Sequence, residues 1–454
     1  MFLSDPNIVM PKTALPEPVL SEKVAAKGSV PMASSIGPGS VHTGWTRWCR
    51  SLVLSRLGGL PLTIVENSVV VHAGAADPVI TIHDPRLWPV VAFDGSDGSG
   101  DAYAEGWWTA SDLTDVVRVF IRERQRIERL DSGLGSLAKP FHNLVNKFRP
   151  NSRTGARKNI HAHSDLGNTF FSRWLDPTMT YSSAIWPRPD ATLEEAQLHK
   201  LDLLFDRLDL QPGERLVEIG TGWGALALRA AATRGVHVTS VTISTEQHAL
   251  ATKRVADAGL SDRVDIRLCD YRDLTGTYDK LVSVEMIEAV GQEYFPAFFQ
   301  TCARLLKPDG LAVIQAITIP DRLFAKAARE SDFIKRHFFP GCCIPSIGAL
   351  GEAASKHSDL DLVALVDFAP HYSRTLETWR RAMLAQIDTL RPLGYDDRFL
   401  RLWEFYLCYC SGGFAERALG VAHLTFAKPA WRARSPGATS AHDAPAVMAS
   451  GATP

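Results

Sequence analysis

The sequence predicts an α/β fold, a doubly wound and mainly parallel sheet with helices on both faces, preceded by a small α+β domain. From about residue 195 onward, short apolar strands alternate with helical segments, which is the order of such a sheet. Residues 217–224 read as a strand that runs into a glycine-rich turn. Ligands of open α/β sheets bind at the carboxyl ends of the strands, so we expect a nucleotide-like ligand above this turn.

The first folded unit is predicted between about residues 45 and 135. In residues 63–72, two runs with alternating side-chain character flank an Asn-Ser pair, which predicts a hairpin. Residues 79–83 predict a further strand. Apolar residues at helical spacing over 111–121 predict a helix capped by Ser111.

The alternating region contains five predicted strands and three predicted helices. The strands cover 215–219, 236–243, 264–268, 278–284 and 311–317. The helices cover 224–232, 246–258 and about 295–306.

Length and composition indicate an ordinary globular protein. The 454 residues suggest two or three domains, with 45% hydrophobic and 22% charged residues. The net charge of −1 excludes a globally basic nucleic-acid binder. Seven scattered cysteines indicate reduced thiols in a cytosolic protein, and no apolar run is long enough to span a membrane.

Two terminal segments and one internal segment have a different composition. Residues 1–40 and 434–454 are rich in Pro, Ser, Gly and Ala and are predicted to be disordered. Residues 136–160 are predicted to be a basic linker. Within it, residues 139–158 contain six Lys or Arg and no acid. This stretch fits contact with an anionic membrane surface, and it equally fits a solvated linker.

The glycine-rich turn is compatible with two ligands. Gly220, Gly222 and Ala225 match a loose dinucleotide fingerprint, which requires an acid about 20 residues further on. The next strand instead ends in Thr242-Ile243-Ser244. Glu218 inside the first motif suits the cationic α-amino group of S-adenosylmethionine (SAM), so we favour SAM over NAD.

Several motifs resemble the cyclopropane-fatty-acyl-phospholipid synthase family. They include residues 163–168, 174–182, 241–247, 283–291, 333–341 and 371–376, together with the glycine-rich turn. The resemblance covers about 160–425 and is closest to the branch that methylates oleoyl chains toward tuberculostearic (10-methyl) acids. It implies a seven-stranded SAM-methyltransferase sheet at 161–430 and a lipid-binding-like domain at 45–135.

The resemblance also implies a set of SAM-binding residues. These are Tyr181, Ser182, Glu218, Gly220, Gly222, Gly224, Thr242, Ile243, Gln247, Asp270 and Tyr271. Thr242 and Gln247 could instead serve only as helix-cap residues.

On the catalytic side, the resemblance implies a bicarbonate ion that acts as the base. Glu288, Tyr372 and the backbone of Ile317 are its expected holders, and Ser183 and Gln315 stand where the family usually has Cys and His. Alternatively, Glu288 is an acid at a helix N-terminus, Tyr372 a packed tyrosine and Ile317 a core residue.

The implied enzyme is a cytoplasmic protein at the inner face of the membrane that transfers a one-carbon unit from SAM to a phospholipid acyl double bond. A carbocation would form on the acyl chain. The bicarbonate ion held by Glu288 would then deprotonate it to give a 10-methylene or a cyclopropane chain. A methylene product would require a reductase partner. The resemblance is compatible with a homodimer, and the sequence does not give the oligomeric state. The alternatives are a non-catalytic SAM- and lipid-binding protein and a SAM methyltransferase of a soluble small molecule.

Overall fold

The computed structural model describes residues 44–124, 167–330 and 332–433. The predicted terminal segments and the basic linker lie outside these residues.

The N-terminal unit combines a four-stranded sheet with three helices. The strands are β1 (Thr63–Glu66), β2 (Val69–His72), β3 (Val79–Ile82) and β4 (Trp108–Ala110), in the spatial order β2-β1-β3-β4. The helices are α1 (Gly44–Leu57), α2 (Leu87–Ala104) and α3 (Leu113–Arg122).

The predicted hairpin is confirmed, because β1 and β2 pair antiparallel around Asn67 and Ser68, which both have positive φ. The predicted cap of α3 is wrong by one residue. Asp112 caps the helix and accepts a hydrogen bond from the Asp115 amide at 2.9 Å, whereas the Ser111 hydroxyl accepts one from the Val79 amide. The carboxylate is the side chain that reaches the first-turn amide.

Helix α2 was not predicted from the sequence because its glycines lower helix propensity. It is kinked at Gly95, where φ is +56°. A Cβ on Gly100 would lie 2.5 Å from the ring of Phe333, so this glycine permits close packing of α2 against the second unit.

The second unit contains the large sheet and eleven helices within the described residues. Its strands are β5 (Arg215–Ile219), β6 (His237–Thr242), β7 (Val264–Leu268), β8 (Tyr278–Val284), β9 (Leu306–Thr318), β10 (Asp361–Asp367) and β11 (Gly420–Ala427). Its helices are α4 (Gly167–Phe171), α5 (Leu193–Arg207), α6 (Ala225–Arg234), α7 (Thr245–Asp257), α8 (Phe295–Leu305), α9 (Asp321–Ala327), α10 (Phe333–His337), α11 (Ile347–His357), α12 (Ala369–Leu384), α13 (Ile387–Leu390) and α14 (Asp397–Ala415). Short 3₁₀ turns occupy Tyr271–Asp273, Ile287–Ala289, Gln292–Tyr294 and Arg391–Leu393.

The large sheet has seven strands in the order β10-β11-β9-β8-β5-β6-β7. Strands β5 to β9 pair in parallel, and β11 pairs antiparallel with both β9 and β10. The predicted doubly wound, mainly parallel, seven-stranded sheet is therefore confirmed. Because β5 lies between β6 and β8, the strand order reverses beside the carboxyl end of β5, where such sheets bind ligands.

The two units share one hydrophobic core. Trp88 and Trp108 of the N-terminal unit belong to the same buried cluster as Trp403 and Phe405 of α14. A Cβ on Gly412 of α14 would lie 2.7 Å from the Val117 side chain of α3, which shows how closely these helices approach. This packing fixes the N-terminal unit against the face of the second unit that carries the site.

Candidate functional site

A cavity of about 1110 Å³ connects the carboxyl edge of the large sheet with the inner face of the N-terminal unit. At one end it is lined by the glycine-rich turn and by Asp270, and at the other by apolar side chains such as Ile64, Ile82 and Ala92. One wall is formed by residues of α14, among them Phe405. The cavity thus combines a polar end and an apolar end within one enclosure.

The glycine-rich turn takes backbone conformations that disfavour other residues. Gly220, Gly222 and Gly224 have φ values of +103°, +53° and +86°. A Cβ on Gly220 would lie 3.3 Å from the Met286 side chain, and one on Gly224 would lie 3.2 Å from the Cβ of Ala251. Gly220 and Gly222 line the cavity, whereas Gly224 begins α6 behind them. The turn therefore leaves open space where a ligand can approach the backbone.

Glu218 lies at the polar end of the cavity on β5. It is buried, and one of its carboxylate oxygens accepts a hydrogen bond from the Ser240 hydroxyl at 2.5 Å. Burial raises the pKa of Glu218 to about 8. A cation beside a buried carboxyl group favours its ionised form. Glu218 can therefore pair with an ammonium group.

Thr242, Ile243 and Gln247 lie where β6 passes into α7, and all three line the cavity. The Thr242 hydroxyl donates to the Gln247 side-chain oxygen at 2.8 Å. The cap of α7 is Ser244, whose hydroxyl accepts from the Gln247 amide. The side chains of Thr242 and Gln247 are thus bonded to each other beside the cavity rather than serving as the cap.

Asp270 and Tyr271 follow β7 and also line the cavity. Asp270 accepts two hydrogen bonds from the Arg272 guanidinium, at 2.9 and 2.6 Å. Tyr271 packs edge-on against Phe298, and burial raises the pKa of its phenol. Asp270 is therefore held rigidly by its own neighbour.

Tyr181 and Ser182 enter the cavity from the loop between α4 and α5. Tyr181 stacks on Trp379 at 5.2 Å and bonds the Tyr406 hydroxyl at 3.1 Å. The Ser182 hydroxyl accepts from the buried Lys200 ammonium at 2.8 Å, and burial lowers the pKa of Lys200 to about 8.

The polar end fits SAM by its chemistry. It offers a carboxyl group at Glu218 for the α-amino group, a second carboxylate at Asp270 and an aromatic ring at Tyr271, with a backbone turn free of side chains between them. Ten of the eleven residues predicted to bind SAM line the cavity, and only Gly224 does not.

The predicted catalytic residues lie at the junction between the polar and apolar ends. Glu288 is buried in the 3₁₀ turn after β8, and its Oε1 accepts a 2.5 Å hydrogen bond from the Ile317 amide. Its Oε2 is buried and has no hydrogen-bond partner among the described residues. Burial and the nearby charge of Glu285 raise the pKa of Glu288 to about 8.

Ser183, Gln315 and Tyr372 come together at Glu285, a residue that sequence reasoning missed. The Ser183 amide donates to Glu285 Oε1 at 2.9 Å, Gln315 Nε2 donates to the same oxygen at 2.7 Å, and the Tyr372 hydroxyl donates to Oε2 at 2.6 Å. Glu285 and Tyr372 line the cavity, while Ser183 and Gln315 lie behind Glu285. The signal for it was a second acid three residues before Glu288, at the carboxyl end of a parallel strand.

Of the groups expected to hold bicarbonate, only Glu288 keeps an atom without a partner among the described residues, its Oε2, and the donors expected beside it are already used. The Ile317 amide already donates to Glu288, and the other three expected donors already donate to Glu285. A further anion would also lie beside two buried carboxyl groups, which is electrostatically unfavourable.

Three further kinds of feature were searched for in the described part of the chain: metal sites, disulfide bonds and membrane-spanning helices. Within 44–124, 167–330 and 332–433, no group of three or more His, Cys, Asp or Glu could hold a metal ion. All seven cysteines are free. Among the same residues, no helix has the length and apolar character needed to cross a membrane.

Comparison with known proteins gives a consistent assignment. The family model described as mycolic acid cyclopropane synthetase matches residues 151–424. The chain is 40% identical over 381 residues to tuberculostearic acid methyltransferase UfaA1 of Mycobacterium tuberculosis, covering 81% of this chain and 87% of the relative. It is 33% identical over 373 residues to cyclopropane-fatty-acyl-phospholipid synthase of Escherichia coli K12, covering 80% and 92%.

Solved structures agree with this assignment. The cyclopropane synthase MmaA2 from Mycobacterium tuberculosis matches with a TM-score of 0.56 and 31% identity, over 60% of this chain and 98% of that chain. Mycolic acid cyclopropane synthase CmaA1, complexed with SAH and CTAB, matches with a TM-score of 0.56 and 33% identity over the same shares. The chain therefore belongs to the mycolic acid cyclopropane synthetase family and is a SAM-dependent C-methyltransferase.

Proposed function

We propose that this methyltransferase transfers a one-carbon unit from SAM to the double bond of an unsaturated acyl chain of a membrane phospholipid. The observation that carries the proposal is the course of the cavity, from the glycine-rich turn past buried carboxyl groups to an apolar cleft beside the N-terminal unit. A cofactor and a long hydrocarbon chain can meet inside such an enclosure. The relatives named above, a tuberculostearic acid methyltransferase and a cyclopropane-fatty-acyl-phospholipid synthase, support this substrate class.

SAM, when bound, supplies a methyl group that is electrophilic enough for an isolated alkene to attack. Glu218 would pair with its α-amino group, and Thr242, Gln247 and Asp270 would hold the remaining polar groups. The glycine-rich turn would let the backbone approach the cofactor without side chains in between.

The reaction leaves a carbocation on the acyl chain, and this cation must be kept from water. Phe405, Tyr406 and Leu376 line the cavity and are buried. Their apolar surface excludes water, and aromatic faces attract a nearby cation. The same walls would hold the acyl chain so that its double bond lies at the junction of the two ends.

The proposed product is the 10-methylene chain. It forms when a hydride shift precedes loss of a proton from the added methyl group, whereas loss without a shift closes a cyclopropane ring. The 40% identity to a tuberculostearic acid methyltransferase supports the methylene product. A saturated branch contains two more hydrogen atoms than the methylene, so a separate reductase must complete it.

We place the enzyme at the cytoplasmic face of the membrane as a peripheral protein. Helix α1 carries three arginines and no acidic residue, and one of the three, Arg50, is paired with Glu66 at 2.7 Å. Its Trp45 is 55% exposed and Trp48 is 45% exposed, and Trp45 stacks on the exposed Phe93, which lines the cavity. Arginines and exposed tryptophans beside an apolar opening suit contact with anionic headgroups. This supports direct entry of an acyl chain from the bilayer.

The test is incubation of the protein with methyl-labelled SAM and vesicles of oleoyl phospholipid. We expect the acyl chain to gain one labelled CH₂ unit from SAM, and proton NMR of the product made with unlabelled SAM to show the signals of an exocyclic methylene. Transfer to the headgroup, or to a soluble acceptor only, would contradict the proposal.

A paired variant tests the acyl cleft itself. Ala92→Phe introduces a ring into the apolar end of the cavity and should abolish lipid product while SAM affinity stays within about threefold. Ala256→Phe, on the exposed face of α7, adds the same ring away from the cavity and should behave like the wild type.

A further inference from the structure

Glu285 is bonded by three of the residues that were expected beside an external base, Ser183, Gln315 and Tyr372. Its carboxylate accepts hydrogen bonds from the Ser183 amide, the Gln315 side-chain amide and the Tyr372 hydroxyl, at 2.9, 2.7 and 2.6 Å. These three donors belong to the loop before α5, to β9 and to α12. Three distant parts of the chain thus converge on one side chain at the wall of the cavity.

The backbone of Glu285 is strained in a way that directs this side chain. Glu285 has φ of +48°, in the left-handed region that glutamate rarely adopts. Its own amide donates to the Gln315 carbonyl at 2.8 Å, which holds the turn against the neighbouring strand. Such strain persists only where the surroundings enforce it, and it is concentrated at functional sites.

The two carboxyl groups at the junction have different hydrogen-bond environments. Burial raises the pKa of Glu285, and the three hydrogen bonds that it accepts oppose this effect because they favour the ionised form. Glu288 accepts one from the Ile317 amide, and its Oε2 has no partner among the described residues. Two buried carboxylates repel one another, so a single negative charge on the pair is the favoured state, and the donors assign that charge to Glu285.

The two carboxylate oxygens of Glu285 also differ in how many further hydrogen bonds they can accept. Oε1 accepts two hydrogen bonds, which uses both of its lone pairs, whereas Oε2 accepts only one, from Tyr372. A lone pair therefore stays available on Oε2 at the cavity wall.

We propose that the carboxylate of Glu285, built into the chain, takes the place of an external anion and is the base that deprotonates the alkylated acyl chain. This inference rests on the proposed function. In the step, a C–H bond of the added methyl group breaks and its proton goes to Glu285 Oε2. The electron pair of that bond becomes the π bond of the methylene, and the cationic acyl carbon becomes neutral. The proton leaves to solvent after product release.

The first test is Glu285→Gln, which preserves size and removes the base. We expect kcat to fall on the order of 10²–10⁴-fold, the range that a general base supplies, while SAM affinity stays within about threefold. The wild type should keep its full rate in buffer freed of bicarbonate. The matched control is Glu352→Gln, an exposed glutamate on α11, which should keep the wild-type rate.

The second test is Glu285→Ala with added small anions. This variant opens a space lined by the same three donors. Millimolar formate or bicarbonate should therefore raise the kcat of the variant at least tenfold. A wild type that loses activity without bicarbonate, or a Glu285→Gln variant that retains more than about a tenth of the rate, would overturn the base assignment. A wild type that alkylates no lipid under any of these conditions would instead overturn the proposed function.

Discussion

Gln315 and His423 face one another across adjacent strands, and a 2.9 Å hydrogen bond joins His423 Nε2 to Gln315 Oε1. His423 Nδ1 accepts from the Arg207 guanidinium at 3.0 Å, so its proton is on Nε2. Burial lowers the pKa of His423 well below its usual value, which keeps the ring neutral. The amide of Gln315 is thereby oriented with its NH₂ group toward Glu285.

Gln315→Leu should therefore impair both folding and catalysis. It removes a donor from Glu285 and leaves the buried His423 N–H unpaired, at a cost of about 1–3 kcal/mol in the free energy of unfolding. Denaturant unfolding and kcat measure the two effects. Gln315→Glu would add a further buried acid and should be worse than leucine in both measurements. A smaller effect of Gln315→Glu than of Gln315→Leu would contradict the proposed orientation of the Gln315 side-chain amide.

SAM binding should release a proton through Glu218. Its pKa near 8 keeps much of it protonated at pH 7 in the free protein, and a cationic partner favours ionisation. SAM affinity should therefore rise as pH increases from 6 toward 8. Titration calorimetry in buffers of different ionisation enthalpy measures the released proton, and Glu218→Gln should abolish that release and weaken binding by about tenfold or more.

The stability of the protein should depend on pH through Glu288. Its folded-state pKa of about 8 lies above that of an unfolded glutamate, so the stabilisation is complete below about pH 4.3 and is lost as pH rises toward 8. Glu288→Gln should thus gain stability relative to the wild type at pH 8, by up to a few kcal/mol, with the difference shrinking toward pH 5. Thermal unfolding at both pH values checks this. An equal difference at the two values would show that Glu288 does not titrate as described.

Two glycines of the turn, Gly220 and Gly222, should differ in their tolerance of alanine. Gly220 combines φ of +103° with a Cβ position 3.3 Å from Met286, whereas Gly222 has φ of +53° and open space. Gly220→Ala should cost about 1–3 kcal/mol of stability and weaken SAM binding. Gly222→Ala should be milder in stability but should still reduce SAM affinity, because its methyl group enters the cavity. Calorimetric unfolding measures the loss of stability in the two variants, and titration with SAM measures their loss of affinity.

Membrane contact should depend on the exposed aromatic residues of α1. The double variant Trp45→Ala with Trp48→Ala should reduce binding to anionic vesicles by at least tenfold, while methyl transfer to a detergent-dispersed substrate is retained. The control is Val69→Ser with Val70→Ser, which removes two exposed apolar residues from β2 in the same unit. Equal loss in both variants would argue against a specific contact through α1.

The layered α/β architecture follows from local patterns along the chain. The strands at 215–219, 264–268 and 278–284 have the predicted bounds, because each is a short segment rich in β-branched and apolar residues. Glu218 and the glycine-rich turn were found for the same reason, since a strand, a turn and a helix follow one another directly in the chain.

The groups that meet at the reacting end of the cavity are brought together by long-range packing. Glu285 lies 102 residues from Ser183 and 87 from Tyr372, and no local pattern encodes those contacts. Helix α2 is a similar case, because its glycines oppose helix formation locally, and the reason for one of them, Gly100, is its close contact with the distant Phe333. Side-chain contacts between distant segments depend on how the sheet and helices pack, and that packing is a property of the whole chain.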